Sequence, residues 1–349
     1  MIAGHDPGIR RVLRKPSQSA PGAAPEEIAG GIARVQMRHP VFSPVNSWII
    51  GARTAGRDAL IVDTTYPDPE SGAVWAEICD SGALDGVGTV LLTHHHRDHA
   101  GQALWLSERL GARLLASAGE AEALAERIAG AGAVFARELT VFYRRCGLSE
   151  AHSARLTAVA ADYSDLRAPG ARLEILQSGG LEVAGRDFEV IVSGGHSPAA
   201  VSLLDRRGGL FIAGDQLLPG GGPQITYFDL EDQTDHLGHY FDYLNLVSDL
   251  PDDILVLPGH GDAFYGAAAR AAHIRAGHER RLARLLEVTD RAQSCAELIE
   301  RMFPPQALAQ FGWVLPGMLI SLAGHLQAQG RLRRIEAENG LVLFERLNG

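Results

Sequence analysis

Short apolar runs alternate with amphipathic stretches along the first third of the chain. The apolar runs have the length of buried strands, whereas the stretches at 74–79 and 102–110 have the apolar spacing of helices. Strands are predicted at residues 32–37, 47–51, 59–63, 87–93 and 113–116. Because strands that alternate with helices are typical of a layered core, we predict an α/β fold.

The stretch between residues 119 and 168 has a different pattern, dominated by alanine, glutamate, arginine and leucine. It predicts helices at 121–128, 134–145 and 149–158, and because these interrupt the alternation we interpret it as a helical insertion. Strand patterns then return, and a hairpin turn at 206–209 joins the last two of them. These strands are predicted at 173–176, 181–183, 188–192, 200–205 and 210–213.

The last part of the chain continues with a helix at 235–250, a buried strand at 254–257 and a long amphipathic helix at 266–288. Two further helices precede a hairpin around the turn Asn339-Gly340. The helices are predicted at 294–302 and 315–328, and the hairpin strands at 332–335 and 341–344. This order of elements suggests a small winged-helix appendage.

Three parts of the chain follow from this pattern. We predict a disordered arm at 1–26, a main domain at 27–290 that includes the insertion, and a C-terminal winged-helix-like unit at 291–349. The 349 residues suffice for a full core, and 46% hydrophobic with 21% charged residues is typical of a soluble globular protein.

Composition also limits the cellular compartment and the classes of binding partner that we expect. No apolar run approaches the length of a membrane span, and the basic residues near Met1 are not followed by the apolar stretch of a secretory signal. The three cysteines are too far apart for a disulfide framework, so we expect a reducing cytoplasm. A net charge of −10 argues against a nucleic-acid surface.

The candidate chemistry is concentrated at residues 94–99, directly after the predicted strand at 87–93. The pattern His-x-His-x-Asp-His places His94, His96, Asp98 and His99 in one tight turn. Neutral imidazoles and a carboxylate suit zinc, iron or manganese. Without a metal, several polar rings and a charge against a sheet edge would be costly, so the sequence predicts a metal site.

Three more candidates follow apolar strands later in the chain, each directly after a glycine. They are His196, Asp215 and His260. Glycine allows close approach of the backbone and unusual φ values, and strand ends are where rigid scaffolds present functional groups. Three such positions strengthen the prediction of a metal site, whereas His95 is expected to point away from it.

This arrangement resembles the metallo-β-lactamase-fold hydrolases. The family's five motifs match in order, beginning with Asp63, continuing with the cluster at 94–99 and ending with His260, and the resemblance covers about residues 32–266. It implies a four-layer αβ/βα sandwich with a dinuclear metal site at its edge.

The resemblance also implies a role for each candidate residue. The first metal would be held by His94, His96 and His196. The second metal would be held by Asp98, His99 and His260. Asp215 would bridge the two ions, and Asp63 would orient a ligand by hydrogen bonding. Two divalent ions are expected, with zinc first and iron or manganese as alternatives.

Such a site activates water between two ions, and Asp98 can accept a hydrogen bond from that nucleophile. We therefore expect a metal-dependent hydrolase of small acyl compounds. Thioesters come first, as acyl-CoA or glutathione conjugates, because many similar proteins resemble hydroxyacylglutathione hydrolase. Lactones or other esters come next. The alternatives are a phosphodiesterase or ribonuclease on the same metals, a β-lactamase, and a non-hydrolytic iron protein.

The two additions to the α/β core bear on partners. In this family, an insertion between His99 and His196 tends to cover the active site. The alternative interpretation is a peripheral addition without a role at the site, or a dimer contact. Residues 294–349 hold five arginines and five glutamates, so they lack the basic surface that phosphates require. We expect a small-molecule substrate, no nucleic acid and no membrane, and we leave a homodimer open.

Overall fold

The computed structural model describes residues 8–12, 25–38, 44–51, 58–130, 133–157, 166 and 172–347. The strands are β1 Arg10–Arg11, β2 Glu26–Ala29, β3 Ile32–Met37, β4 Val45–Ile50, β5 Ala59–Val62, β6 Val87–Leu91, β7 Arg113–Ala116, β8 Leu173–Ile175, β9 Gly179–Val183, β10 Arg186–Ser193, β11 Ala200–Asp205, β12 Leu210–Gly214, β13 Leu255–Pro258, β14 Phe264–Tyr265, β15 Gln293–Ser294, β16 Leu332–Glu336 and β17 Val342–Arg346. The helices are α1 Pro69–Asp80, α2 Arg97–Ala100, α3 Ala103–Leu110, α4 Ala118–Gly130, α5 Ala133–Arg145, α6 Glu150–Thr157, α7 His236–Ser248, α8 Ala267–Val288, α9 Cys295–Met302, α10 Pro305–Phe311 and α11 Leu315–Ala328.

Contacts within the chain group it into two compact units. The first comprises residues 1–129, 163–223 and 246–271. The second comprises residues 130–162, 224–245 and 272–349. Of the predicted insertion, α4 thus belongs almost wholly to the first unit, whereas α5 and α6 group with the C-terminal elements.

Two seven-stranded sheets form the first unit. One has the order β2-β3-β4-β5-β6-β7-β8, antiparallel from β2 to β5 and parallel from β5 to β8. The other has the order β1-β14-β13-β12-β11-β10-β9, in which only the pair β12 and β13 is parallel. Parallel neighbours need crossover connections. The connection from β5 to β6 contains α1, that from β6 to β7 contains α3, and that from β7 to β8 contains the helices of the predicted insertion.

The core shows why these segments are strands. Alternate residues of β4 and β5 point to opposite faces, as the period of two requires. Ile49 and Ile61 pack in the cluster that includes Trp75 of α1. Trp48 and Leu60 pack in a second cluster with residues of the other sheet. Both faces of the first sheet are therefore buried, one against helices and one against the second sheet, which confirms the predicted αβ/βα sandwich.

Within the predicted arm, β1 pairs with β14, with Arg10 opposite Tyr265. The prediction of disorder is thus wrong for this short strand, because its ladder is made with a distant partner. Residues 1–7 and 13–24 of the arm lie outside the described residues.

The second unit contains helices and a small sheet of order β15-β17-β16. The backbone N–H of Ala296 donates to Cys146 O at 2.9 Å, and the Tyr143 hydroxyl donates to Trp313 O at 2.9 Å, so α5 packs among the C-terminal elements. Extra C-terminal helices are therefore present, whereas the winged-helix assignment stays a prediction. Across the described ranges, the helices fall short of the combined length and apolarity that crossing a bilayer would need.

Candidate metal centre

The ends of four strands position the predicted site. The cluster at 94–99 begins three residues after β6 and runs into α2, while His196 follows β10, Asp215 follows β12 and His260 follows β13. Gly259, which directly precedes His260, is required by the close packing around it. A Cβ at Gly259 would lie 2.8 Å from His99 Cε1 and would also collide with the Asp215 carboxylate. Only glycine lets the two ligand-bearing segments approach this closely.

The structure brings the predicted ligands into two groups. In each group, the candidate ligand atoms lie within 4.8 Å of one another. One group contains three imidazoles, from His94, His96 and His196. The other group contains a carboxylate and two imidazoles, from Asp98, His99 and His260.

Asp215 lies beside both groups. Its Oδ2 is 3.6 Å from His196 Nε2 and 3.5 Å from His260 Nε2, and its Oδ1 is 3.5 Å from His99 Nε2. The carboxylate of Asp98 approaches His260 Nε2 to 3.2 Å. One buried carboxylate is thus within reach of ligand nitrogens from both groups.

Asp63 is the residue that fixes the turn. It follows β5 with a φ of 59°, in the left-handed region, and its side chain is buried. Its Oδ1 accepts the backbone N–H of Thr93 at 2.8 Å, and its Oδ2 accepts the Thr93 hydroxyl at 2.8 Å. The same Oδ2 lies 2.9 Å from His99 Nδ1, so it holds that ring with Nε2 turned toward Asp215. Asp63 also lies within 4.8 Å of ligand atoms of His94 and His99.

The histidine pKa values shift in opposite directions in the two groups of ligands. Burial, together with the neighbouring imidazoles, lowers the pKa of His94 and of His96 well below the ordinary value, so these rings are neutral. Burial also opposes the charged form of His99, but Asp215, Asp98 and Asp63 outweigh it and raise its pKa well above the ordinary value. Burial likewise raises the pKa of Asp98 and of Asp215, yet His99 and His260 dominate and lower both.

These residues fit a bound metal. The Nε2 atom of His94 is buried without a hydrogen-bond partner, although a buried ring nitrogen normally has one. Nitrogen and carboxylate oxygen donors at this spacing are the ligands that zinc, iron and manganese accept. The His and Asp groups could therefore hold a divalent metal.

Sequence reasoning missed one buried residue beside the site. His95 lies outside the ligand groups, as expected, and its Nδ1 is 2.7 Å from Glu120 Oε2. Glu120 is 1% exposed and also bonds the segment that follows His196. Burial raises the pKa of Glu120, but hydrogen bonds from His95 and Ser197 prevail and lower it, so the group is ionised. No spacing in the sequence separates Glu120 from the other glutamates of α4.

Comparisons with known proteins agree with this architecture. The chain is 28% identical to a beta-lactamase domain protein from Burkholderia ambifaria, with a TM-score of 0.81 and 98% of each chain covered. It is 23% identical to a metallo-beta-lactamase family protein from Thermus thermophilus, with a TM-score of 0.72, covering 91% of this chain and 99% of that one. A search of curated proteins gave no match.

A model of the metallo-beta-lactamase superfamily matches residues 40–260, a range that contains every candidate ligand described above. Members of this superfamily are mostly metal-dependent hydrolases. Because the matched range covers more than half of the chain, and the two-sheet sandwich and the His and Asp groups agree with it, the chain belongs to the metallo-beta-lactamase superfamily.

Proposed function

We propose that this protein is a dinuclear metal-dependent hydrolase of small acyl compounds, with thioesters as the first substrate class and lactones or other esters next. The observation that carries the proposal is the position of Asp215, whose two oxygens lie 3.5–3.6 Å from ligand nitrogens of both groups. A carboxylate shared in this way could bridge two neighbouring cations.

The residues divide the binding of two ions between them. The first ion would be held by His94, His96 and His196, and the second by Asp98, His99 and His260. Asp215 would bridge the ions, and Asp63 would keep His99 in the tautomer that offers Nε2. When bound, the ions would supply an acidified water and a polarised carbonyl, and zinc is our first choice, with iron or manganese as alternatives.

Asp98 is the residue we assign to the nucleophile. Its side chain is 16% exposed, so it can meet water, and its lowered pKa keeps it ionised at neutral pH. An ionised carboxylate accepts hydrogen bonds and donates none. Asp98 would therefore accept a hydrogen bond from the attacking water and orient it, in addition to holding the second ion.

The same electrostatics favour thioesters. Expulsion of an amine needs a proton donor, whereas a thiolate leaves readily because the pKa of a thiol is only about 8.5. Asp98 and Asp215 are both ionised, and the imidazoles are assigned to metal binding. Neither Asp98 nor Asp215 is therefore in the acid form that a poor leaving group would need.

Partners and location complete the proposal. The balanced arginines and glutamates of residues 294–349 favour a small-molecule substrate over nucleic acid. The free thiols of Cys79, Cys146 and Cys295 are compatible with action in a reducing cytoplasm.

The test is a substrate panel on chelator-treated protein reloaded with zinc, iron or manganese. The panel contains acyl-CoA and acyl-glutathione thioesters, lactones, a phosphodiester and a β-lactam. We expect metal-dependent turnover that is fastest on a thioester, with Asp85→Asn, an exposed carboxylate, as the matched control for Asp98→Asn. Turnover of the phosphodiester alone would refute the acyl proposal, and full activity after exhaustive chelation would refute the metal centre.

A further inference from the structure

Glu120 is a buried carboxylate outside the proposed ligand set. It is the third residue of α4, and it is 1% exposed. Burying an ionised carboxylate is costly unless its oxygens are well paired. An ionised Glu120 at this position therefore needs hydrogen-bond partners for both of its oxygens.

The Glu120 carboxylate takes part in four hydrogen bonds. Oε2 accepts the backbone N–H of His95 at 2.9 Å and lies 2.7 Å from His95 Nδ1. Oε1 accepts the Ser197 hydroxyl at 2.6 Å and the backbone N–H of Ala199 at 2.8 Å. His95 stands between His94 and His96, and Ser197 directly follows His196. One carboxylate thus joins both segments that carry the three-imidazole group.

The first turn of α4 is docked closely enough to hold this position. Ser117 Oγ donates to Ala199 O at 2.6 Å and accepts the backbone N–H of Glu120 at 3.3 Å. A Cβ at Gly119 would lie 2.8 Å from Ala199 Cβ, so glycine permits the approach. The partial positive charge at a helix N-terminus also favours an ionised carboxylate in the first turn.

We propose that Glu120 is a positioning residue for the metal centre: it sets the spacing of His94 and His96 relative to His196 by bonding the two segments at once. This inference rests on the metal site proposed above. Glu120 is not among the residues that would hold the ion, and it acts through His95, Ser197 and Ala199. Its role is to preorganise three imidazoles before any metal binds.

The test is the zinc affinity of Glu120→Gln, measured by competition with a chromophoric chelator. An amide has one acceptor oxygen, so its NH₂ group would face two of the four donors and release one segment. Loss of a partner that bonds a ligand directly typically costs about 10- to 100-fold in metal affinity. Because Glu120 bonds only residues beside the ligands, we expect the lower end of this range, a loss of about 10-fold for one ion. The cobalt-substituted variant should also show an altered d–d absorption spectrum. Glu122→Gln, an exposed glutamate of the same helix, is the matched control and should bind zinc as the wild type does.

A purely structural role would give a different result. A folded Glu120→Gln protein with a lower Tm but the zinc affinity and cobalt spectrum of the control would overturn the proposal. If Glu120→Gln does not fold, Ser197→Ala removes one of the four bonds and should weaken zinc binding on the order of 3-fold. Unchanged affinity there would overturn it as well. A wild type that binds two ions yet hydrolyses no substrate would refute the hydrolase proposal alone, because this test reads affinity.

Discussion

Replacing Asp63 by asparagine tests how the turn at 94–99 presents its ligands. The carboxylate accepts from Thr93 N and Thr93 Oγ1 and faces His99 Nδ1, with all three distances between 2.8 and 2.9 Å. Asparagine keeps the size but turns one oxygen into an NH₂ donor. If the new NH₂ faces His99, that ring must carry its proton on Nε2, the atom that points to Asp215. If it faces Thr93 N instead, two N–H groups meet.

Either orientation of the asparagine should weaken metal binding and lower the free energy of unfolding. Loss of a partner that orients a ligating imidazole lowers metal affinity by about 10- to 100-fold. Because each tenfold change corresponds to about 1.4 kcal/mol, the expected loss is about 1.4–2.8 kcal/mol of binding free energy. A hydrogen bond to a charged group also contributes about 1.5–3 kcal/mol to stability, so unfolding should become easier by a similar amount. The ion assigned to Asp98, His99 and His260 should be the weaker-bound one.

The assay is a zinc titration of Asp63→Asn against a chelator, with urea denaturation of the metal-free protein as the stability readout. Asp85→Asn changes an exposed carboxylate in the same unit and should alter neither measurement. Two zinc ions bound with the affinities of the control would show that the tautomer of His99 does not depend on Asp63. That result would refute the reasoning, whatever the change in stability.

Two further predictions concern the residue that orients the nucleophile and the loss of folding stability at acid pH. Asp98→Ala should remain folded, as measured by far-UV circular dichroism. It should turn over its best substrate at least about 100-fold more slowly, because it loses a proposed ligand as well as an orienting group. Wild-type turnover would refute the assignment. Burial lowers the pKa of His278 to about 3, so between pH 6.5 and 3 the unfolded chain binds a proton that the folded chain does not, and stability is lost as the pH falls. His278→Leu should therefore lose about 2 kcal/mol less than the wild type between pH 7 and 5 in urea titrations, and an equal loss in both proteins would contradict this.

The elements that the sequence predicts well are those whose pattern is local. β3, β7 and β11 have the predicted bounds, because turn residues lie close to each run: Gly31 before β3, Gly111 before β7 and Arg206-Arg207 after β11. β1 and β14 were missed, since a two-residue strand has no period of its own and exists only through its distant partner. α10 was missed for another reason: Pro304-Pro305 suggests a break, yet proline is compatible with the first turn of a helix.

The site divides in the same way. Metal binding requires particular donor atoms, and three of the proposed ligands directly follow a glycine at a strand end. The seven proposed ligands and Asp63 could therefore be named from residue types and the resemblance. Glu120 could not be named in this way. Glu120, Glu122 and Glu126 all lie in α4 and look alike in the sequence, but only Glu120 is buried. What distinguishes it is the docking of the helix against residues 197–199, which is a tertiary contact without a local signal.

Asp63 and Glu120 together explain how a turn with four histidines keeps its shape before a metal arrives. Contacts between imidazole rings do not by themselves fix the rings, and three ring pairs of this turn have centroids 4.2–4.9 Å apart. Asp63 bonds the start of the turn through Thr93 and its end through His99, and Glu120 bonds its middle through His95. Each carboxylate comes from a different element, α4 or the end of β5, so the turn is held at three points by groups that need not bind the ion. The folding of the sandwich would therefore bring these ligands close together before a metal binds.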